Sequence, residues 1–338
     1  MRPNARGAYA VADPYPVKFD SIFKLKVWGG CNLHRIFGKS LPSGDPIGES
    51  WELADLEQDQ SKAAIGPARG QPLGALLRQW GPRLLGKAQP FEGRFPLLVK
   101  FLDAEDDLSV QVHPDEAMAS RLGGHVRAKN EAWYIIEARG DAAIYRGLND
   151  GVDRRRFQQA IEQNQVPDTL RRIPVKAGDC YYLPSGTLHA LGKGVVAAEV
   201  QTPSDTTYRV HDWGHDGRPL HVAEALECIA FGRAEREPKR SHVADVWRTV
   251  THLVACKSFV IHKVRTVEGV VQPIVDGTMM VWIVLSGRGR LTRTSDGLEV
   301  PFAPGDVVLL PAATEQIHVA TESDCEWLEV IVPSGAGV

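Results

Sequence analysis

Two imidazoles and a carboxylate stand in short, distinctive stretches of the chain: His113 in LSVQVHPDEA (108–117), Glu131 in KNEAWYIIEA and His189 in PSGTLHAL. Together they form the donor set of a catalytic zinc site, with open positions left for water or substrate. Gln111, two residues before His113, offers an amide oxygen as a fourth, weaker donor. No thiolate accompanies them, which disfavours Cu(I) and iron–sulfur chemistry. Taken singly, each has a plainer reading: His113 as a capping or surface histidine before Pro114, His189 as a satisfied barrel histidine, Glu131 as a solvated carboxylate at a strand start. The case is joint, and it depends on the elements that would carry them.

Side chains alternate along a strand, so Leu108, Val110 and Val112 point one way and Ser109, Gln111 and His113 the other. Pro114 ends that strand and opens a short helix, PDEAMASRL, with acidic residues in its first turn. Upstream, residues 20–60 alternate short apolar runs with Gly and Pro, which reads as strand and turn. QPLGALLRQWGPRLLGK (71–87) has helical spacing broken at Gly81-Pro82, giving two short helices. FPLLVKFLDA is a nearly continuous apolar run, the pattern of a buried strand, and Lys100 inside it is expected to face a cavity or pair with an acid. EAWYIIEARGDAAIYRGL reads as a hairpin turning at Arg139-Gly140-Asp141. Residues 152–172 read as one or two amphipathic helices, and VAEALECIAF (222–231) as another. Strands return at 173–201 and fill 250–334.

One motif recurs. AGDCYYLP (177–184) and PGDVVLLP (304–311) each start a strand at Gly-Asp and end it at proline. Each follows a hairpin of similar style, WYIIEARGDAAI and VWIVLSGRGRLT. Two copies suggest two small antiparallel barrels of the cupin type. The fold class expected is therefore mainly β, two cupin-type (jelly-roll) β-barrels with short helical insertions. After the first motif the chain supplies His189; after the second, Gln316 holds the same offset and His318 follows two later. Met279 and Met280 stand in the region corresponding to Glu131. The division expected is a flexible lead-in at 1–20, a metal-bearing domain at 21–245 with helical inserts near 71–87 and 152–172, and a metal-free second cupin-like domain at 246–338.

The chain has 338 residues, 43% hydrophobic and 24% charged, with a net charge of −3. This is an ordinary globular composition; it argues against a nucleic-acid or anionic-membrane partner while leaving room for a local anion pocket. No run of about 18 apolar residues suggests a membrane span, and the N-terminus has no apolar signal core. The five cysteines are scattered, odd in number and without a CxxC, which points to a reducing cytoplasm rather than a disulfide framework. No glycine-rich nucleotide loop is present; GRGR (287–290) reads as a turn.

The segments GGCNLHRIFGK, IGESWELADLE, PLLVKFLDAEDDLSVQVHPDEAMA, KNEAWYIIEA, VKAGDCYYLPSGTLHAL and AEVQTPSDTTYRVHDW resemble type I mannose-6-phosphate isomerases (phosphomannose isomerases), more narrowly the shorter bacterial branch. The resemblance covers about residues 20–334. It implies a zinc-dependent two-cupin aldose–ketose isomerase, with one zinc per chain held by the residues that match the family's ligand motifs: Gln111, His113, Glu131 and His189. It implies a small phosphosugar substrate, acting as monomer or homodimer. Longer members carry an extra helical domain between the ligands. Here Glu131 and His189 are 58 apart, with room for a short helical insert only, and the arginine motif TTYRVHDW is worded differently.

Interconverting mannose 6-phosphate and fructose 6-phosphate moves a proton between C1 and C2 through an enediol. That needs a base, a stabiliser for developing charge and a phosphate anchor. Arg209 resembles the family's catalytic arginine. Glu199, sharing a face of AEVQ with Gln201, is a candidate proton shuttle, with a buried paired carboxylate as its plain reading. Lys129 is a candidate for phosphate binding or proton transfer. Ser109, Lys100 and Gln201 are candidates for substrate contact. Trp51 offers a face for the sugar, although most such aromatics are core. The rival readings are a cupin isomerase or epimerase of another phosphosugar, and a metal-containing sugar-binding cupin without turnover. Arg209, Glu199 and Lys129 together favour turnover, since a sensor has no need of all three.

Overall fold

The computed structural model describes residues 12–42, 45–215, 217–232, 241–275, 277–313 and 316–334; the first eleven residues of the expected lead-in lie outside them. Strands dominate and fall into four antiparallel sheets. In the first half, a six-stranded sheet runs Ile22–Gly30, Ile47–Leu53, Leu98–Ala104, Val195–Gln201, Glu131–Ala138, Cys180–Leu183. Facing it is a five-stranded sheet, Tyr208–His211, Val110–Val112, His189–Leu191, Ala143–Leu148, Leu170–Pro174. In the second half a seven-stranded sheet contains Val260–Thr266, Cys325–Ile331, Met280–Ser286 and Val307–Leu310 in that order, and a four-stranded sheet runs Val271–Pro273, Ile317–Thr321, Gly289–Arg293, Leu298–Phe302.

The two halves repeat one plan. Eight strands from 98 to 201 and eight from 260 to 331 occur in the same chain order and take the same places in their paired sheets. The Gly-Asp motif behaves identically in each. Gly178 and Gly305 adopt φ of 91° and 85°, which glycine reaches without a Cβ clash. Their N–H groups donate to Ile135 and Val284, and the following carboxylates of Asp179 and Asp306 cap Lys176 N and Ala303 N.

Three expectations change. The segments around 139–141 and 287–288 are not hairpins: Glu131–Ala138 lies in the six-stranded sheet and Ala143–Leu148 in the facing sheet, as do Met280–Ser286 and Gly289–Arg293 in the second half. Each is an arch that carries the chain across the barrel. The described part of the lead-in is also packed. Tyr15 is buried, its hydroxyl donating to Ile65 O and accepting from Ala68 N, and Val17–Lys18 pairs with Val308–Leu309 of the second half. The expected division at 245/246 falls inside a hairpin, because Ser241–Ala244 pairs with Arg248–Ala255.

Short helices appear within both expected inserts, Leu73–Trp80 with Pro82–Leu85, and Arg154–Glu162. The outer faces of the two large sheets share one apolar core: Val99, Phe101, Ala198 and Val200 with Val281, Leu309 and Val330. Burying that surface at roughly 25 cal/mol per Å² locks the barrels back to back and leaves the inner face of the first free for polar groups.

Candidate metal centre and substrate cleft

The first barrel's inner face gathers the four proposed donors from both of its sheets. Gln111 and His189 are direct cross-strand partners in the five-stranded sheet. Val110 and Val112 fill a core on the opposite side with Tyr208 and Val210, so alternation turns Gln111 inward. His113 follows at the strand end, where its carbonyl accepts from Gly186 N. That bond zips the 113 corner to the Pro-Ser-Gly turn and brings His189 alongside. Glu131 starts its strand in the opposite sheet.

The side chains meet in a dry space. His113, Glu131 and His189 are each at most 1% exposed, and their donor atoms lie within 4.8 Å of one another. His189 Nε2 is 2.9 Å from Glu131 Oε1, and His113 Nε2 is 3.3 Å from Oε2. Their other ring nitrogens face backbone carbonyls, His113 Nδ1 to Thr206 O at 2.9 Å and His189 Nδ1 to Thr187 O at 2.8 Å. A carbonyl only accepts, so each Nδ1 carries the proton and each Nε2 presents a lone pair. Burial pushes the His113 imidazole down to about 3, and Lys129 adds to this, so its Nε2 has no proton to give the carboxylate. His113 Nε2 and both Glu131 oxygens are buried, and apart from the Lys129 ammonium 2.8 Å from Oε2 none of the three has a hydrogen-bond partner. Acceptors aimed at one another in a dry site are costly; a divalent cation satisfies them together, and the nitrogen-and-oxygen set matches borderline metals. Gln111 is 3.3 Å from His189 Nε2 through its amide nitrogen; rotating the amide by half a turn presents its oxygen instead. The residues fit a metal. Among the described residues this is the only such cluster of three.

Above it opens a cleft of about 280 Å³ reached by Gln111 and Lys129. Five cations line it: Lys26, Lys100, Lys129, Arg209 and Arg218. Three carboxylates, Glu49, Glu199 and Asp205, line it too. Lys129 Nζ lies 2.8 Å from Glu131 Oε2, and against its burial Glu131 is held well below the usual carboxylate range by the Lys129 ammonium. Lys100 Nζ is 3.2 Å from Glu199 and 3.7 Å from Glu49; despite burial, Glu199 first and then Glu49 raise it above the ordinary lysine value. Glu49 is pulled down to about 2: burial opposes this, but Lys100, then Lys26 at 2.9 Å, outweigh it.

Other expected residues find definite places. Glu199 accepts from Trp133 Nε1 at 2.8 Å as well as pairing with Lys100, so it is both a paired carboxylate and a wall of the cleft. Ser109 lines the cleft. Arg209 is the backbone neighbour of Gln111 and lines the cleft; its Nη1 donates to Pro219 O, and its Nε is buried without a partner. Burial and the nearby Arg218 lower it from the usual arginine value. Trp51 is buried, gives its N–H to Glu49, and lies under the Lys24 and Lys100 ammoniums at 4.7 and 4.9 Å; it supports the lysine rather than the cleft. Gln201 is the exception. Its amide donates to Thr202 O and Ser204 O at the strand end, and it does not line the cleft.

Five residues went unrecognised in the sequence. Glu49 and Trp133 were legible by period 2, each two residues from a residue already singled out. Lys26 shares the polar face of KLKVW. Arg218, clamped by both carboxylate oxygens of Asp212, and the cleft-lining His221 lie in an irregular stretch with no period to place them.

A model of the type I phosphomannose isomerase catalytic domain matches residues 17–143. The mannose-6-phosphate isomerase ManA of Bacillus subtilis is 34% identical over 92% of this chain and 97% of its own, and the mannose-6-phosphate isomerase of Streptococcus mutans is 36% identical over 88% and 92%.

The chain belongs to the type I mannose-6-phosphate isomerase family.

The crystal structure of the Bacillus subtilis mannose 6-phosphate isomerase superposes with a TM-score of 0.84 at 30% identity, covering 93% of this chain and 99% of that one. A phosphomannose isomerase variant from Salmonella typhimurium, 16% identical with a TM-score of 0.73, shares the fold. No helix among the described residues is long and apolar enough to cross a membrane.

Proposed function

We propose that this protein is a zinc-dependent isomerase, one ion per chain, interconverting mannose 6-phosphate and fructose 6-phosphate. The observation that carries the reading is the buried His113–Glu131–His189 cluster lying directly behind a cation-rich cleft, in a chain of this family. Gln111, His113, Glu131 and His189 hold the ion, which supplies Lewis-acid polarisation of substrate oxygens when bound.

The chain's own groups divide the remaining work. Arg218, fixed by Asp212, and Arg209, with no ion-pair partner among the described residues, crowd two guanidiniums into one cleft; an anion relieves their repulsion. Arg209, beside Gln111, sits on the metal side and stabilises the enediolate. Arg218 and Lys26 anchor the phosphate, and Ser109 meets a sugar hydroxyl. Glu199, paired with the Lys100 ammonium and aimed by Trp133, moves the proton between C1 and C2. Lys129 balances Glu131. The second barrel is a metal-free support. No disulfide is formed among the described residues, which suits a reducing cytoplasm, and we expect a monomer or homodimer.

A coupled assay for fructose 6-phosphate formed from mannose 6-phosphate tests the reading. Turnover of mannose 6-phosphate, and its loss in Glu199→Gln with metal retained, is expected. A metal-loaded protein that binds the sugar phosphate without turnover would make it a sensor.

A further inference from the structure

A hexose 6-phosphate in water is a cyclic hemiacetal, with C1 bonded to the ring oxygen O5. No enediol forms until that bond breaks. The groups assigned above act on the oxygens of C1 and C2, on the proton they share and on the phosphate; none meets O5. With C1 and C2 on the metal side and the phosphate at Arg218, O5 falls between Arg209 and Arg218.

His221 stands at that place. It lines the cleft three residues after Arg218. It is also bonded to Arg209: its N–H donates to Arg209 O at 2.7 Å, and its Nδ1 accepts from Arg209 N at 3.4 Å. Tyr208–His211 is the edge strand of its sheet, with Val110–Val112 on one side only. His221 therefore supplies the two bonds that a further strand would give, just before the helix Val222–Cys228.

That clip fixes the ring. A nitrogen that accepts an N–H carries no proton, so the neutral imidazole has its proton on Nε2. Nε2 has no hydrogen-bond partner among the described residues and is not buried. The cleft wall thus presents a neutral donor, on the only imidazole among the described residues that line it. The clip alone asks for an acceptor at Nδ1 and has no use for the second nitrogen.

We propose that His221 is a further catalytic residue, donating from Nε2 to O5 while the sugar ring opens. The O1 hydroxyl loses its proton as C1=O forms. The C1–O5 bond breaks with its electron pair going to O5, and the proton from O1 reaches O5 through cleft water. The imidazole stays neutral and stabilises the charge that develops on O5, as a preorganised donor does. The inference rests on the mannose 6-phosphate reading and names the group that prepares that substrate.

The test follows exchange between the α and β anomers of mannose 6-phosphate by exchange NMR on the intact, metal-loaded chain, beside the coupled assay. The wild type should interconvert the anomers faster than buffer alone. His221→Asn keeps an acceptor for Arg209 N and removes the donor. It should keep its metal and lose about tenfold or more in both anomer exchange and kcat. His221→Gln, whose amide N–H reaches toward the place of Nε2, should recover part of both. An Asn variant with wild-type anomer exchange, or one that has lost its metal, would overturn the proposal and leave the reading of the reaction standing. So would a wild type that isomerises without accelerating anomer exchange. Anomer exchange that depends on His221, with no fructose 6-phosphate formed, would sustain the ring-opening role and overturn the reading of the reaction instead.

Discussion

The two barrels share a strand plan and differ in what fills it. Backbone register gives the equivalences. Glu131 pairs with Leu183, and Met280 with Leu310, the matching leucine of the Gly-Asp strand. His189 pairs with Arg146, and Ile317 with Arg293. Gln111 partners His189, while Ile274 N donates to Ile317 O. Three proposed donors of the first barrel, Gln111, Glu131 and His189, thus correspond to Ile274, Met280 and Ile317, all buried in the shared core. Ile317, rather than the Gln316 expected from sequence offset, takes the histidine's place. Trp133 and Glu199 correspond to Trp282 and Glu329, which are retained. A barrel of this plan packs with apolar side chains at these three positions, so the polar set of the first reflects function, not folding.

Substitutions at equivalent positions sharpen that contrast. The largest effect is expected for His113→Ala or His189→Ala, each losing bound metal, by elemental analysis, and about a thousandfold or more of turnover. In the second barrel Met280→Ala, at the place equivalent to Glu131, should leave metal content and turnover per folded molecule intact and cost about 2–5 kcal/mol in denaturant unfolding. Met280→Ala that lost metal would break the division of labour. Arg209→Ala should keep its metal and lose about 10²–10³ in kcat, the scale of a charge-stabilising donor; loss of metal instead would make Arg209 structural.

The smallest expected effect concerns pH. Glu49 titrates near 2 in the folded chain against about 4.5 ordinarily. A depressed carboxyl stabilises the fold fully above the unfolded value, and that contribution fades as pH falls from about 4.5 to 2, reaching at most about 3 kcal/mol. Glu49→Gln should therefore lose stability at neutral pH and show a flatter acid limb between those values. An unchanged limb would mean that the Lys26–Glu49–Lys100 pairing contributes little. His262, the counterpart of Lys100 by its pairing with Glu329, has that one carboxylate at 3.9 Å in place of the Glu49–Glu199 pair.

Much of this was legible because a strand writes its two faces into the sequence with period 2. Ser109, Gln111 and His113 were readable as one face, and Lys100 as a misfit in an apolar run. The arches at 139–141 and 287–288 were not, because alternation is the same whether a chain turns back on its own sheet or crosses to the facing one. Gln201 shared the right face, but at a strand end local carbonyls captured its amide. Arg218 lies where the chain is irregular, and its place follows only from the Asp212 clamp. The repeat was visible in Gly-Asp, whose backbone demands are strict, while the replacement of His189 by Ile317 required register.

The central claim is that the first barrel holds a catalytic metal and the second holds none. The most direct measurement is metal content per chain alongside mannose 6-phosphate isomerisation, before and after chelation. One equivalent of metal, with activity lost on its removal and restored by zinc, is the predicted result; full turnover by a metal-free chain would contradict the account.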